Sequence, residues 1–377
     1  MAQRVLITGG AGFIGSHLAD LLLKEGYAVR VLDNLEPQVH GPNAARPAYL
    51  HSDVEFIQGD VRDPEAVARA LQDVDLVSHQ AALVGVGQSM YEIARYTEIN
   101  ALGTARLLDA IVQTPAIRDR MQRIVVASSM SCYGEGKAYH RSCGEFAPPL
   151  RTIKQMQREE WEILAPNDEP CEARPTDEEH PMRPTSVYAA SKHNQEQLVL
   201  ATGLAYGIAA VALRYFGVYG SRQSLSNPYT GVGAIFSSSL LNGRPPLVYE
   251  DGKQTRDFIH VSDIARANLL ALREESVRNG AFNVGTGRRI SILELARMLS
   301  EKITGGNIEP EITKRFRSGD VRHCFADTKQ ARDWLGFYAQ VALEDGIDEL
   351  VESVRAQTPP DRRDEAHDEL QKHGLVK

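Results

Sequence analysis

Cysteine is scarce, long apolar runs are missing and positive charge is in the minority in this chain of 377 residues. The four cysteines, Cys132, Cys143, Cys171 and Cys324, fall at irregular spacings. They argue against a disulfide framework and suit reduced thiols in a reducing compartment. Nothing approaches the roughly 18 consecutive apolar residues of a membrane helix, and Met1–Ile7 run straight into a glycine turn with no room for a leader's apolar segment. A cytoplasmic protein with no membrane partner is expected. Lys and Arg number 42 against 50 Asp and Glu, a net charge of −8, and no dense basic stripe with interleaved aromatics appears. Nucleic acid is therefore not an expected partner.

What is present is an ordinary globular composition, 42% apolar and 24% charged, in a chain longer than one typical domain. Two lobes are expected. Over the first 130 residues, β-branched runs (4–8, 28–33, 54–58, 76–79, 123–128) alternate with amphipathic stretches (17–25, 64–71, 101–111). This alternation implies βαβ units in an α/β, doubly wound parallel sheet, with ligands bound beyond the carboxyl ends of the strands. From about 137 to 184, prolines and charges interrupt the pattern, as an insert would. Helical periodicity returns at 186–204 and a strand at 209–215. The expected division is a dinucleotide-binding (Rossmann) domain over 1–220 and a smaller α/β substrate lobe over 221–377, with segments around 257–272 returning to the first domain. The charged stretch 361–377 is expected to be a peripheral helix or partly disordered.

Gly9, Gly12 and Gly15 form Gly-x-x-Gly-x-x-Gly between a strand and a helix that begins at Phe13-Ile14. A backbone that turns tightly and approaches a pyrophosphate has no space for Cβ atoms, and the helix N-terminus supplies N–H donors and a favourable dipole. Asp33 ends the second strand 18 residues after Gly15, where a carboxylate can bind ribose hydroxyls and would repel a 2′-phosphate. NAD is the expected cofactor. Asn34 follows Asp33, Asp60-Val61 ends the third strand, and Gln80-Ala81-Ala82 ends the fourth, where small residues let the backbone lie against a cofactor. Taken alone, a glycine turn or an N-capping aspartate is common, and the weight lies in their joint occurrence.

Tyr188 and Lys192 lie four residues apart on one helix face. An adjacent ammonium would draw the phenol's pKa down from about 10, making it a base for a hydroxyl proton. The strand 124–128 delivers Ser128, Ser129 and Ser131 at its carboxyl end, where a hydroxyl can bind the substrate oxygen. An isolated Tyr-x-x-x-Lys is more often a solvated surface pair, and isolated serines are ordinary turn caps.

Together, Thr8–Gly15, Ser128-Ser129 with Tyr133-Gly134, Tyr188-x-x-x-Lys192, Arg214–Gly220 and Arg256–Asp263 resemble the extended short-chain dehydrogenases/reductases of the nucleotide-sugar epimerase and dehydratase group, over nearly the whole chain. The resemblance implies a catalytic Ser129, Tyr188 and Lys192, with Asn100 beside the nicotinamide. It also implies a nucleoside-diphosphate sugar clamped by Arg256 and Arg317, with Asp320, Asn227, Val84, Ser131, Phe216 and Gly217 around it, and a homodimer built on the helices bearing 101–111 and 186–204. In dehydratases of the group, Asp and Glu follow the position of Ser129; here Met130 and Ser131 stand there, which disfavours elimination of water and leaves 4-epimerisation through a keto intermediate. Gly217 replaces an Asn of many members and Val84 a Lys of galactose-type epimerases. The segments 84–93 and 133–136 and the insert look most like dTDP-L-rhamnose 4-epimerase-type proteins. Alternatives are a UDP-sugar 4-epimerase of the glucose/galactose or glucuronate type, a nucleotide-sugar dehydrogenase or reductase, and, least, a non-catalytic NAD-binding sensor. His140, Cys143, Cys171 and His180 in the insert are poorly spaced for zinc, and no metal is expected.

Overall fold

In the computed structural model, residues 2–224, 231–317, 319–357 and 363–376 are described. Seven strands, β1 (Arg4–Thr8), β2 (Ala28–Asp33), β3 (Glu55–Gln58), β4 (Leu76–His79), β5 (Arg123–Ser129), β6 (Ala209–Tyr215) and β7 (Asn279–Val284), form one sheet in the order β7-β6-β5-β4-β1-β2-β3. All pairings are parallel, with Val5 opposite both Val29 and Leu76. A strand covered on both faces needs apolar side chains at successive positions, which is why Val5-Leu6-Ile7 and Ile124-Val125-Val126 read as unbroken runs. Alternation then splits them: Val5, Ile7, Val125 and Leu213 join one core, and Leu6, Val77, Ile124 and Val126 the other.

The first core is closed by α1 (Phe13–Lys24), through Leu18, Ala19 and Leu22, and by α5 (Val261–Arg273). The second is closed by α2 (Pro64–Ala70), α3 (Gly103–Gln113) and α4 (Val187–Tyr206). Chain order runs outward in opposite directions from β1 and β4, so the loops leaving these two strands part company and open a crevice at their carboxyl ends. A strand and helix from beyond residue 220, β7 and α5, complete this layer; the sequence pattern had suggested only the stretch around 257–272.

The second lobe has its own apolar core, in which Phe236, Leu240, Leu295, Leu299, Ile347 and Leu350 bring together the helices Val232–Leu241, Ile292–Thr304 and Leu343–Ala356. Ser291 and Glu294 begin the middle helix with reciprocal capping bonds. The insert folds as a small antiparallel sheet with Ala138–His140 between Gly144–Phe146 and Glu172–Ala173. Its Trp161 packs edge-on against Phe316, ring centres 6.1 Å apart, which ties it to the second lobe.

Candidate active site

The glycine turn leaves β1 at the crevice. Gly9 has φ +68°, and a Cβ there would come within 2.8 Å of the Ala81 backbone; at Gly15 it would come within 2.4 Å of the Gly9 carbonyl oxygen. At Gly12 the nearest heavy atom would be Gly9 O at 3.3 Å, so this position borders open space. α1 starts there with no side-chain cap and no acid in its first turn, leaving its dipole unopposed by the chain itself. Phe13, Ile14 and Gly15 supply that first turn.

Asp33 is buried at the end of β2, and its two oxygens accept from Ala11 N at 3.0 Å and Leu35 N at 2.9 Å. The carboxylate therefore braces the glycine turn, and each oxygen retains a lone pair for a ribose hydroxyl. Burial raises its pKa, against those backbone bonds and nearby His40. Asn34 donates to Asp60 at 3.1 Å, and Asp60 also receives Arg62. Burial opposes ionisation of Asp60, but the Arg62 bonds prevail and hold it below the usual carboxylate range. Val61 packs in the second core. The Gln80 amide turns inward to Ser78, Tyr215 and Asn268, so only the Gln80-Ala81-Ala82 backbone borders the crevice. These residues fit a dinucleotide: a cradle at Gly12 that a side chain would fill, an uncapped helix end and an acid beside the ribose position.

β5 delivers Ser129, whose Oγ accepts from Ser131 N at 3.2 Å and Ser131 Oγ at 2.9 Å. Its own proton is thus left for Tyr188, whose phenolate form the Ser129 hydroxyl favours. Ser128 faces the opposite way and donates to buried Glu196 at 2.6 Å, so its hydroxyl does not reach the crevice as the sequence suggested. Ser186 caps α4 on Ala189 N and aims its first turn at Ser129.

The expected lowering of the Tyr188 pKa by Lys192 is not what the structure shows. Burial lifts the phenol to about 12, with the Ser129 bond opposing, while burial drops Lys192 to about 8. Lys192 Nζ donates instead to Gln195 Oε1 at 2.7 Å. Sequence reasoning missed this support. Gln195, fully buried one turn further along α4, donates to Thr104 Oγ1 at 2.8 Å and lies 3.2 Å from His79 Nε2. His79 also meets Thr8 Oγ1 at 2.7 Å, and burial, helped by Lys192, takes its pKa down to about 3, so it is a neutral bridge between β1, α3 and α4. Asn100, in a π-helical turn over Thr97–Leu102, clasps both backbone groups of Leu83 and donates to Ser191 at 2.9 Å. It fixes the loop after β4 against the helix bearing Tyr188.

In the second lobe, Arg256 donates to Asp320 at 3.1 Å and to the carbonyls of Thr255, Val321 and Arg322. The Arg317 guanidinium lies 4.8 Å over the Tyr249 ring, its Nε buried without a hydrogen bond. Gly319 approaches Thr185, three residues before Tyr188, which brings this segment to the Tyr188 side of the crevice. A Cβ at Gly217 would meet Asp257 O at 2.9 Å, so strand pairing with Phe258 explains the glycine. Phe216 is buried with Tyr133 and Val321, and Met130 packs on them; it lies behind the Ser129–Ser131 turn. Val84 is 46% exposed on the loop after β4. Asn227 lies outside the described residues. His140 pairs with Glu169 at 2.9 Å, whereas His180 bonds the Glu135 carbonyl.

A further cluster escaped the sequence. Arg322, fully buried, reaches Glu250 and Asp251, and its backbone N–H donates to Glu135 at 2.8 Å. Arg151 of the insert binds both oxygens of Glu250 at 2.9 Å. Burial raises Glu135 to about 7, against the pull of Arg151.

A glycine turn at a doubly wound sheet's switch point, an acid on β2 and Ser129, Tyr188 and Lys192 at one mouth define an extended short-chain dehydrogenase/reductase. The comparisons agree: the model of the NAD dependent epimerase/dehydratase family matches residues 5–153 and 162–285. The dTDP-L-rhamnose 4-epimerase of Burkholderia thailandensis is 38% identical, over 92% of this chain and 94% of that protein. The putative UDP-glucose 4-epimerase of Methanocaldococcus jannaschii is 33% identical, over 92% and 97%. The UDP-glucose 4-epimerase of Thermotoga maritima, solved with UDP-glucose, superposes with a TM-score of 0.76 at 31% identity, covering 94% of this chain and 99% of that one. The chain belongs to the NAD dependent epimerase/dehydratase family, and NAD is its cofactor.

Among the described residues, no helix is long and apolar enough to cross a membrane.

Proposed function

We propose that this NAD-dependent nucleotide-sugar epimerase inverts C4 of a nucleoside-diphosphate hexose, and that the hexose is a dTDP-linked 6-deoxy sugar such as dTDP-L-rhamnose. The observation that carries the C4 reading is the meeting of Ser129 and Tyr188 on a turn whose next residues, Met130 and Ser131, offer no carboxylate for removing a second hydroxyl. The sugar assignment is supported by the 38% identity to the Burkholderia enzyme and by Val84 and Gly217.

Bound NAD would supply the acceptor, and then the donor, of the C4 hydride. Ser129 holds the C4 oxygen and Tyr188 takes its proton, then gives it back after the keto sugar has turned over. Lys192, steadied by Gln195, supplies positive charge beside the phenolate and holds the nicotinamide ribose. Arg256 and Arg317 retain the diphosphate, leaving the hexosyl group free to rotate.

Incubation with dTDP-L-rhamnose, UDP-glucose and UDP-glucuronate tests this. We expect conversion of dTDP-L-rhamnose to its 4-epimer without net reduction of nicotinamide. Accumulated keto sugar with stoichiometric reduction would instead establish the dehydrogenase reading. We further propose a homodimer packed through α3 and α4.

A further inference from the structure

The loop after β4 and the Arg317–Asp320 segment flank Tyr188 from two sides. Leu83 shares a small apolar cluster with Val187 and Tyr188, and Gly319 stands against Thr185. Residues 368–376 connect these two walls. Leu370 is buried, its Cδ2 where a Cβ on Gly87 would come within 2.7 Å. The His373 ring stacks on Tyr91 with centroids 4.4 Å apart and planes 5° apart. The chain then turns at Gly374 (φ +68°), Leu375 N donates to Leu370 O at 2.9 Å, and buried Val376 pairs with Arg317 in an antiparallel bridge.

We infer that Leu370–Val376 is a strap across the substrate cleft, and that Leu370, His373 and Val376 are positioning residues that retain the sugar nucleotide and its keto intermediate. This rests on the epimerase reading. A ketone that must turn over before it is reduced again needs room to rotate and a barrier to escape, and a cover anchored at both walls meets both needs. The anchoring helix Arg363–Lys372 is mostly polar in sequence, and among the described residues Leu370, the His373 ring stack and the Val376 bridge attach the strap to the two walls. Attachment at a few points near a chain terminus suits a segment that opens for substrate to enter and product to leave. The bridge at Val376 also acts directly on Arg317, whose guanidinium is assigned to the diphosphate.

Leu370→Asp and His373→Ala, each in the full chain, test the strap. In both we expect retained NAD, a KM for the sugar nucleotide raised about tenfold or more with a smaller change in kcat, faster release of dTDP, and free keto sugar trapped by hydroxylamine. Should either variant fold poorly, Gly87→Ala displaces Leu370 from the opposite side and should leak in the same way. Parent-like KM, dTDP release and absence of trapped ketone in the folded variants would overturn the strap. Failure of the parent itself to epimerise any sugar nucleotide would strike the functional reading instead, while dTDP release would still judge the strap.

Discussion

Tyr188 and Lys192 stand one helical turn apart, and burial favours the neutral form of each, the phenol at about 12 and the ammonium at about 8. Of the two, one proton leaves near pH 8, and the singly deprotonated state includes the tautomer with phenolate beside ammonium. Under the proposed mechanism that tautomer accepts the substrate proton. Raising pH populates the singly deprotonated pair and lowering pH empties it, so kcat should climb through about pH 8 and fall below it; a kcat flat from acid to alkaline pH would exclude this origin of the base. Tyr188→Phe should cost about 10²–10⁴ in kcat with NAD still bound, measured as turnover per bound cofactor. The glycine turn, Tyr188 and Lys192 were legible because each motif is short and its chemistry lies within one turn of chain. Gln195 and His79 were not, because their partners come from across the sheet: Gln195 meets His79 over 116 residues and Thr104 over 91. Ser128 and Ser129 differ only in which face of β5 they occupy, and at the end of a strand buried on both faces composition does not distinguish them.

Among elements, the insert was read from its prolines and charges as an excursion, and its location in the chain was plain. Its attachment was not, since Arg151, Glu162, Glu250 and Arg322 look like solvated charges until the fold brings them together. Removing one member of a buried ionic group leaves the others unpaired, at about 3–5 kcal/mol. Arg322→Ala, which leaves Asp251 without its arginine and Glu250 with Arg151 alone, should lower unfolding free energy by up to that order in a denaturant titration, whereas Glu162→Gln, at a half-exposed side chain, should cost far less. Glu135 responds to pH in the opposite sense to most carboxylates. Its folded pKa of about 7 exceeds the ordinary carboxyl value of 4.5, so the native state binds the extra proton and its contribution to stability is lost as pH rises through that window. Glu135→Gln removes this titration, so the stability of the variant relative to the parent should shift in the variant's favour by roughly 1–3 kcal/mol between pH 5 and pH 8. A parent and variant that melt in parallel across this range would show that Glu135 is ionised at every pH tested.

At the scale of the whole molecule, the doubly wound sheet was legible from alternating runs, but its seventh strand, β7, enters from far along the chain, and no local pattern marks a strand's partner. The same limit applies to surfaces. α3 and α4 lie side by side over one sheet face; Leu102, at the end of the π-helical turn leading into α3, is 43% exposed, and Leu204 on α4 is 78% exposed. Single exposed leucines are common, but Ala201, Leu204 and Ala205, at i, i+3 and i+4 of α4 and all exposed, make an apolar strip that a second copy of the chain would cover. Packing the two helices of one copy against those of another gives a four-helix arrangement in which the same strip meets itself across a twofold axis. Light scattering on the purified protein should then report twice 41.6 kDa. A paired substitution, Leu102→Glu with Leu204→Glu, places like charges on both sides of that axis and should yield a folded single-chain species. A parent that already runs at 41.6 kDa would remove the strip's assigned partner.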